Sequence, residues 1–222
     1  MSIPPHGFWQ TLDGTGPFPE DGFVDRYPAA LPDGRRLWLP IRVLPGDGDA
    51  AVASLILTQA SFEVQDVLAD VLAERLRDLR AEVIVGVPTL GLALAAAVAK
   101  RLGHPRFVAL GTSRKFWYDD ALSVPVSSIT SPGAGKRLFL DPRMLPLLDG
   151  RRVVVIDDVV STGTTLSAVR SLLSLAGCAP VAAGFAMAQG VSWTAKAGDL
   201  PVRHAISSPR LRRNVDGSWT SE

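Results

Sequence analysis

Cysteine is almost absent from this chain. Among 222 residues only Cys178 carries a thiol, so no disulfide can close within it, a composition compatible with a reducing compartment. Long apolar runs are missing too: none reaches the roughly 18 residues of a membrane-spanning helix. Neither sign of charge dominates, with 23 Lys and Arg against 22 Asp and Glu. That balance offers no global attraction to nucleic acid or to an anionic membrane. Residues Met1 to Gln10 lack the basic-then-apolar order of a secretory signal. Repeats and low-complexity tracts are absent as well. Gly135-Lys136 looks like the end of a nucleotide-binding P-loop. Thr130, however, stands where that loop needs Gly, and Arg137 where it needs Ser or Thr. These absences leave a cytoplasmic protein as the expectation.

Apolar residues are abundant: 47% of the chain is hydrophobic, enough for the core of one α/β domain. The most informative stretch is Arg152 to Leu166, RVVVIDDVVSTGTTL. Val153, Val154, Val155 and Ile156 are β-branched and favour a pleated backbone. Such a short unbroken run reads as a strand buried on both faces of a parallel sheet. The strand is expected to end at Asp157 and Asp158. Ser161, Thr162, Gly163, Thr164 and Thr165 follow. A helical pattern of Leu166, Val169, Leu172, Leu173 and Leu175 then runs to Gly177.

A helix N-terminus offers free N–H groups and a partial positive charge, which suits a phosphate. Gly163 allows the anion a close approach, and the hydroxyls add donors. The loop itself holds no Lys or Arg, so the expected grip is by dipoles and hydrogen bonds. Two adjacent carboxylates suit vicinal hydroxyls or a hydrated Mg²⁺. Phosphate at one end and diol or metal at the other describes a sugar phosphate. An isolated Asp-Asp would read as a solvated pair, with Ser or Thr capping the helix. The full fifteen-residue string favours the binding reading.

This string resembles the phosphoribosyl-pyrophosphate (PRPP) motif of type I phosphoribosyltransferases: four apolar residues, two acids, two apolar residues, then a small Ser/Thr/Gly loop. The resemblance implies an α/β fold, a Rossmann-like parallel sheet flanked by helices, with a small hood and a mobile β-hairpin loop. It implies that Asp157 and Asp158 bind the ribose hydroxyls, and Mg²⁺ as cofactor, directly or through water. It further implies that Val160, Ser161, Thr162, Gly163, Thr164 and Thr165 wrap the 5′-phosphate. PRPP and a nitrogenous base become the expected ligands, in a homodimer.

Other segments fit the same resemblance. Glu82 to Val87 reads as a second buried strand, broken at Pro88-Thr89-Leu90-Gly91 and followed by an alanine-rich helix, Leu92 to Leu102. It resembles the family's diphosphate loop, in which one peptide is often cis, and this carries the role to Thr89, Leu90 and Gly91. On spacing alone it is equally an ordinary strand–helix turn. Arg106 to Leu110 is a third strand. Gly111 to Pro142 is then long for a loop without a function. It reads as a hairpin: Val124 to Ile129 outward, a tip at Ser131 to Gly135, Lys136 to Leu140 back. The mobile catalytic loop of adenine and xanthine phosphoribosyltransferases is similar, and Arg114 and Lys115 match its basic position facing the diphosphate. Val159, Trp193, Phe116 and Trp117 are candidates to stack on the base, each also readable as core packing.

Ser61 to Arg80 has an amphipathic helical period, with Phe62, Val67, Leu68, Val71, Leu72, Leu76 and Leu79 on one face. Residues 1–34 show no helical period. Arg35 to Val43 reads as a strand, Val202 to Ile206 as an edge strand, and Arg210, Arg212 and Arg213 as a solvated face. The expected organisation is a single domain, 1–222: an N-terminal arm or hood at 1–50, a core at 51–190, a mobile catalytic loop at 111–142 and a C-terminal hood or tail at 191–222.

The implied activity is transfer of the 5-phosphoribosyl group from PRPP to a base, with Asp157, Asp158 and Lys115 as the catalytic set. Adenine enzymes of the family carry a Glu in the mobile loop, whereas Ile129 to Gly135 holds no acid, so the expected base is a purine without further specification. The alternative is a PRPP-binding regulator without transferase activity. Such proteins usually add a DNA-binding unit, and residues 1–50 contain no helix-turn-helix pattern or basic stripe. A PRPP synthase would need a doubled domain and an ATP loop.

Overall fold

The computed structural model describes residues 3–46, 48–126 and 136–222. Its centre is a parallel five-stranded sheet. Strand β4 (Val83–Gly86) lies between β5 (Val108–Ala109) and β8 (Val153–Val160), with β9 (Ala182–Gln189) and β10 (Val202–Ser208) beyond β8. Strands β8 and β9 are buried along most of their length, as the β-branched and small-residue runs require. Helices α1 (Phe62–Leu76) and α2 (Gly91–Arg101) cover one face, and α4 (Thr164–Leu175) covers the other.

Helix α1 begins where Ser61 Oγ accepts from the Val64 N–H at 3.2 Å, a side-chain N-cap. It buries Val64, Leu68, Ala69, Leu72, Ala73 and Leu76. Two details differ from the periodic expectation. Phe62 is 84% exposed, whereas Val64 in the same first turn is buried. The α-helix stops at Leu76, and a single 3₁₀ turn ends at Arg80 with a left-handed φ of 48°.

A second sheet is antiparallel, and the two ends of the chain build it together. Its order is β1 (Arg26–Ala30), β2 (Arg36–Val43), β3 (Ala50–Ala53), β11 (Arg210–Arg213) and β12 (Trp219–Ser221). The tail is therefore no simple solvated face: Arg210 and Arg212 are exposed, but Leu211 between them and Trp219 are buried. Residues 1–34 likewise contribute strand β1. Phe8 and Trp9 are buried in the main core, and the Trp9 indole donates to Ser54 O at 3.1 Å. Strand β11 pairs with β3 across more than half the chain, a long-range contact that a local pattern cannot display.

Between β5 and β8 the chain forms a hairpin, β6 (Ser123–Pro125) against β7 (Arg137–Phe139). Its root is buried through Leu122, Val124, Leu138 and Leu140, which pack in the α4-side core. The expected tip, Ser131 to Gly135, lies outside the described residues. Among the described residues no helix is long and apolar enough to cross a membrane.

Candidate active site

The sheet order places a crevice at the carboxyl ends of β4 and β8. From β4 the chain moves outward to β5; from β8 it moves the other way, to β9 and β10. Ligands of open α/β sheets bind at such a reversal. Strand β4 stays paired with β8 only to Gly86↔Ile156, whereas β9 accompanies β8 as far as Val160↔Ala188. Asp157 and Asp158 thus lie inside strand β8, with Asp157 opposite Phe185. This corrects the expectation that the strand ends at the pair. The end of β4, not the end of β8, sets where the acids meet the crevice.

Asp157 is buried, and its Oδ1 accepts the Asp158 backbone N–H at 2.9 Å. Burial, and then repulsion from Asp158, push the Asp157 carboxyl well above the usual carboxylate range. Burial raises Asp158 as well. Neither acid has a basic side-chain partner within ion-pair distance among the described residues. A tightly held, uncompensated acid pair in a crevice marks a functional site rather than a structural ion pair.

Helix α2 abuts this pair. A Cβ built on Gly91 would stand 2.5 Å from Asp157 Oδ1 and 2.7 Å from Asp157 Cα. Glycine is what lets the α2 N-terminus touch β8. The Pro88–Thr89 peptide just before it is cis, as the family resemblance implies. Thr89 is exposed, and Leu90 is half-buried. The segment 89–91 and the acid pair are thus brought together from opposite sides of the reversal.

On the other side of the acids, Val160 is buried and offers only its backbone. Gly163 adopts φ +74° and occupies the cap position of α4, with no side-chain cap bond. A Ser or Thr cap there is therefore excluded, and the first-turn N–H groups remain open to an anion. Thr162 and Thr164 hydroxyls lie 3.1 Å apart. At Gly163 an added side chain would meet the protein itself. A Cβ at this residue would meet Lys196 Cβ at 3.0 Å and Trp193 O at 3.1 Å. The glycine is needed for its positive φ and for the close pass of residues 193–196 behind the loop.

Two residues that the sequence pattern could not place also reach this loop. Gln189, at the end of β9, accepts from Ser161 Oγ at 2.9 Å and donates through Nε2 to Ala53 O of β3 at 3.0 Å. Lys196, in the short helix α5 (Thr194–Ala197), donates from Nζ to Thr164 Oγ1 at 2.6 Å. The loop has no cation of its own in sequence, but the fold supplies one.

The remaining candidates are more dispersed. Val159 is half-buried against the α1-side core. Trp193 packs on the α4-side core, with its indole donating to Gly190 O at 3.0 Å. Arg114 pairs with Asp120 at 2.7 Å, and both are exposed. Lys115 is exposed, and its carbonyl accepts from the Tyr118 N–H. Phe116 is 90% exposed. Trp117 instead braces the hairpin root: its indole donates to Asp141 Oδ2 at 3.3 Å, and the Arg143 guanidinium lies 4.6 Å from its ring centre. Among the described residues no group of three or more His, Cys, Asp or Glu is arranged around a metal.

A profile of the phosphoribosyl transferase domain matches residues 59–206, from the turn before α1 into β10. The chain belongs to the phosphoribosyltransferase family. It is 33% identical over 159 residues to an adenine phosphoribosyltransferase of Corynebacterium efficiens, which covers 68% of this chain and 76% of that relative. It is 28% identical over 158 residues to the chloroplastic amidophosphoribosyltransferase 1 of Arabidopsis thaliana, over 71% of this chain and 27% of the relative. The fold is shared with the APRTase of Giardia lamblia complexed with 9-deazaadenine, at 22% identity and a TM-score of 0.60 over 76% of this chain and 93% of that one. In this phosphoribosyltransferase the matched region includes both loops of the crevice and the acid pair, and it excludes strands β1 to β3 and β11 to β12 of the second sheet.

Proposed function

We propose that this phosphoribosyltransferase transfers the 5-phosphoribosyl group of PRPP to a ring nitrogen of a purine. The bond from ribose C1 to the diphosphate oxygen breaks, and a bond from C1 to the base nitrogen forms. The nitrogen's proton is released, and the products are a nucleoside monophosphate and diphosphate. One observation carries the reading: the uncapped N-terminus of α4 and the Gly91 end of α2 flank the same buried acid pair. The α4 end suits the 5′-phosphate, the acids suit the ribose diol, and segment 89–91 suits the diphosphate.

The sugar gains positive charge as the diphosphate departs, so charge placement dominates catalysis. Asp157 and Asp158 hold the ribose hydroxyls and stand near the developing cation. Arg114 and Lys115, at the base of the hairpin, face the departing diphosphate when that segment closes, excluding water from the reaction. The donor set fits Mg²⁺ as a companion of the substrate. Two carboxylates suit a hydrated ion that completes its shell with substrate oxygens, whereas they are too few for an all-protein cage. Asp157 and Asp158 would hold that ion, directly or through water, and when bound it neutralises diphosphate charge.

Adenine is the first base to try, since relatives bearing that name recur among the similar proteins. A relative named hypoxanthine/guanine phosphoribosyltransferase makes the oxopurines the second arm. The experiment is a panel of purines, pyrimidines and ammonia with PRPP and Mg²⁺, following diphosphate release. The expected result is turnover with a purine and none with the other acceptors. Tight PRPP binding without diphosphate release on any acceptor would overturn the transferase reading in favour of a PRPP-binding regulator.

A further inference from the structure

Lys196 is held against the phosphate loop at its backbone as well as its tip. Its N–H donates to Trp193 O at 3.1 Å, and its carbonyl accepts from Arg170 Nη1 at 3.1 Å. Its Cβ would lie 3.0 Å from a Cβ at Gly163, so the root of the side chain passes directly behind the loop. From there Nζ reaches Thr164 Oγ1 at 2.6 Å. Thr164 in turn lies 3.1 Å from Thr162 Oγ1. No carboxylate stands within ion-pair distance of Lys196 among the described residues. An ammonium has three donors. Here Nζ meets a neutral hydroxyl at the open end of a twelve-residue helix, where the dipole itself attracts an anion.

We propose that Lys196 is a direct ligand of the substrate's 5′-phosphate. It gives a charge-assisted grip to a loop whose own residues, 160–165, contain no cation. The inference rests on the assignment of that loop to the 5′-phosphate and adds to it the residue that supplies the charge. Bonds from an ammonium to a phosphate oxygen are roughly twice as strong as neutral ones. The cradle therefore recognises a phosphomonoester by charge as well as by shape, and a neutral 5′-hydroxyl sugar is rejected. The contact also makes binding at this end of the substrate sensitive to salt.

The test uses the full chain and ribose 5-phosphate as probe, with diphosphate as control ligand for the far end of the site. Affinities are measured calorimetrically for the parent, Lys196→Met, Lys196→Arg, Thr164→Ala and the Lys196→Met/Thr164→Ala pair, with melting temperatures alongside. Screening is varied between ionic strengths of about 0.01 and 1 M, where the Debye length falls from about 30 to 3 Å. Lys196→Met should bind ribose 5-phosphate roughly tenfold more weakly, with a shallower salt dependence and unchanged diphosphate affinity. Lys196→Arg should stay near the parent, and the double variant should bind more weakly than Thr164→Ala alone. If Lys196→Met keeps the parent's affinity and salt slope, or if the double variant equals Thr164→Ala, Lys196 merely orders a hydroxyl and the inference is overturned while the loop assignment stands. A folded parent that binds no ribose 5-phosphate overturns both.

Discussion

Asp157 sits in a place that costs the free protein stability. Its carboxyl is raised by burial and by Asp158, so at a pH between the unfolded chain's ordinary value of about 3.9 and the raised one the folded state keeps a proton that the unfolded chain has released. The sign follows from linkage. The protonated pair stabilises the fold fully below the unfolded value, and that contribution is lost as pH rises through the raised folded values. The proposed binding of ribose hydroxyls works in the opposite direction, because charged carboxylates accept hydroxyls best. Affinity for ribose 5-phosphate should therefore fall as pH drops through the raised values, with proton release on binding, measurable by calorimetry in buffers of different ionisation enthalpy. Asp157→Asn should melt higher than the parent at neutral pH and bind ribose 5-phosphate about 1.5–3 kcal/mol more weakly. A lower melting temperature would show that the acid pair is structural. Gly91→Ala forces a methyl to within 2.5 Å of Asp157 Oδ1. It should destabilise the fold by about 1–3 kcal/mol and weaken binding at the same time, as chemical denaturation and titration would show.

Among the elements, the connection between β9 and β3 matters most for the site. Gln189 joins Ser161 of the proposed phosphate loop to the backbone of Ala53 in the second sheet. Gln189→Leu removes both bonds and leaves Ala53 O and Ser161 Oγ without this partner, at a stability cost of about 1–3 kcal/mol. Hydrogen exchange should report faster opening at residues 50–54 and 161–163 together. Exchange that rises at only one of them would refute the coupling. The hairpin invites a second measurement. Its root is anchored by buried Leu122, Val124, Leu138 and Leu140, so protection should be high there with or without ligand. PRPP and Mg²⁺ should add protection at Gly111 to Tyr118, where Arg114 and Lys115 lie. Unchanged exchange across that stretch would mean that the basic pair does not close on the diphosphate.

At the scale of the whole molecule, the chain ends close one sheet. Strands β11 and β12 contribute buried Leu211 and Trp219, which cluster with Phe23 and Ala51. Truncation after Ser208 removes both and should cost at least about 3 kcal/mol, read as a lower melting temperature than that of the full chain. An unshifted melt would make the second sheet an accessory. Acid stability has its own anchor in Asp141, brought down to about 2 chiefly by its bonds to the Arg143 side chain. A depressed acid stabilises above its unfolded value and loses that contribution as pH falls through the folded one. Asp141→Asn should therefore flatten the parent's loss of stability between about pH 4 and 2, measured by denaturation at a series of pH values.

Strands β4, β5, β8 and β10, the turns that follow β4 and β8, and the position of the acid pair were legible in the sequence because each is local. An apolar β-branched run, two acids and a small hydroxyl-rich stretch carry their meaning within fifteen neighbouring residues. The helices at 62–76 and 91–101 were legible for the same reason, through period and composition. What lay beyond the sequence depends on distance along the chain. A four-residue strand with one buried leucine, β11, is a strand only because β3 lies beside it. Phe62 was grouped with the apolar face yet is exposed, while Val64 in the same turn is buried, because packing and not apolar spacing alone sets which way the helix turns its stripe. The site itself divides in the same way. The loop 160–165 reads as uncharged in sequence, whereas the turn of the chain after β9 carries Lys196 back across 32 residues to Thr164. Local patterns determined the acid pair, the small hydroxyl loop and the strand that carries them; tertiary packing decided which distant side chains, Gln189 and Lys196, meet that loop, because those contacts join residues far apart in the chain.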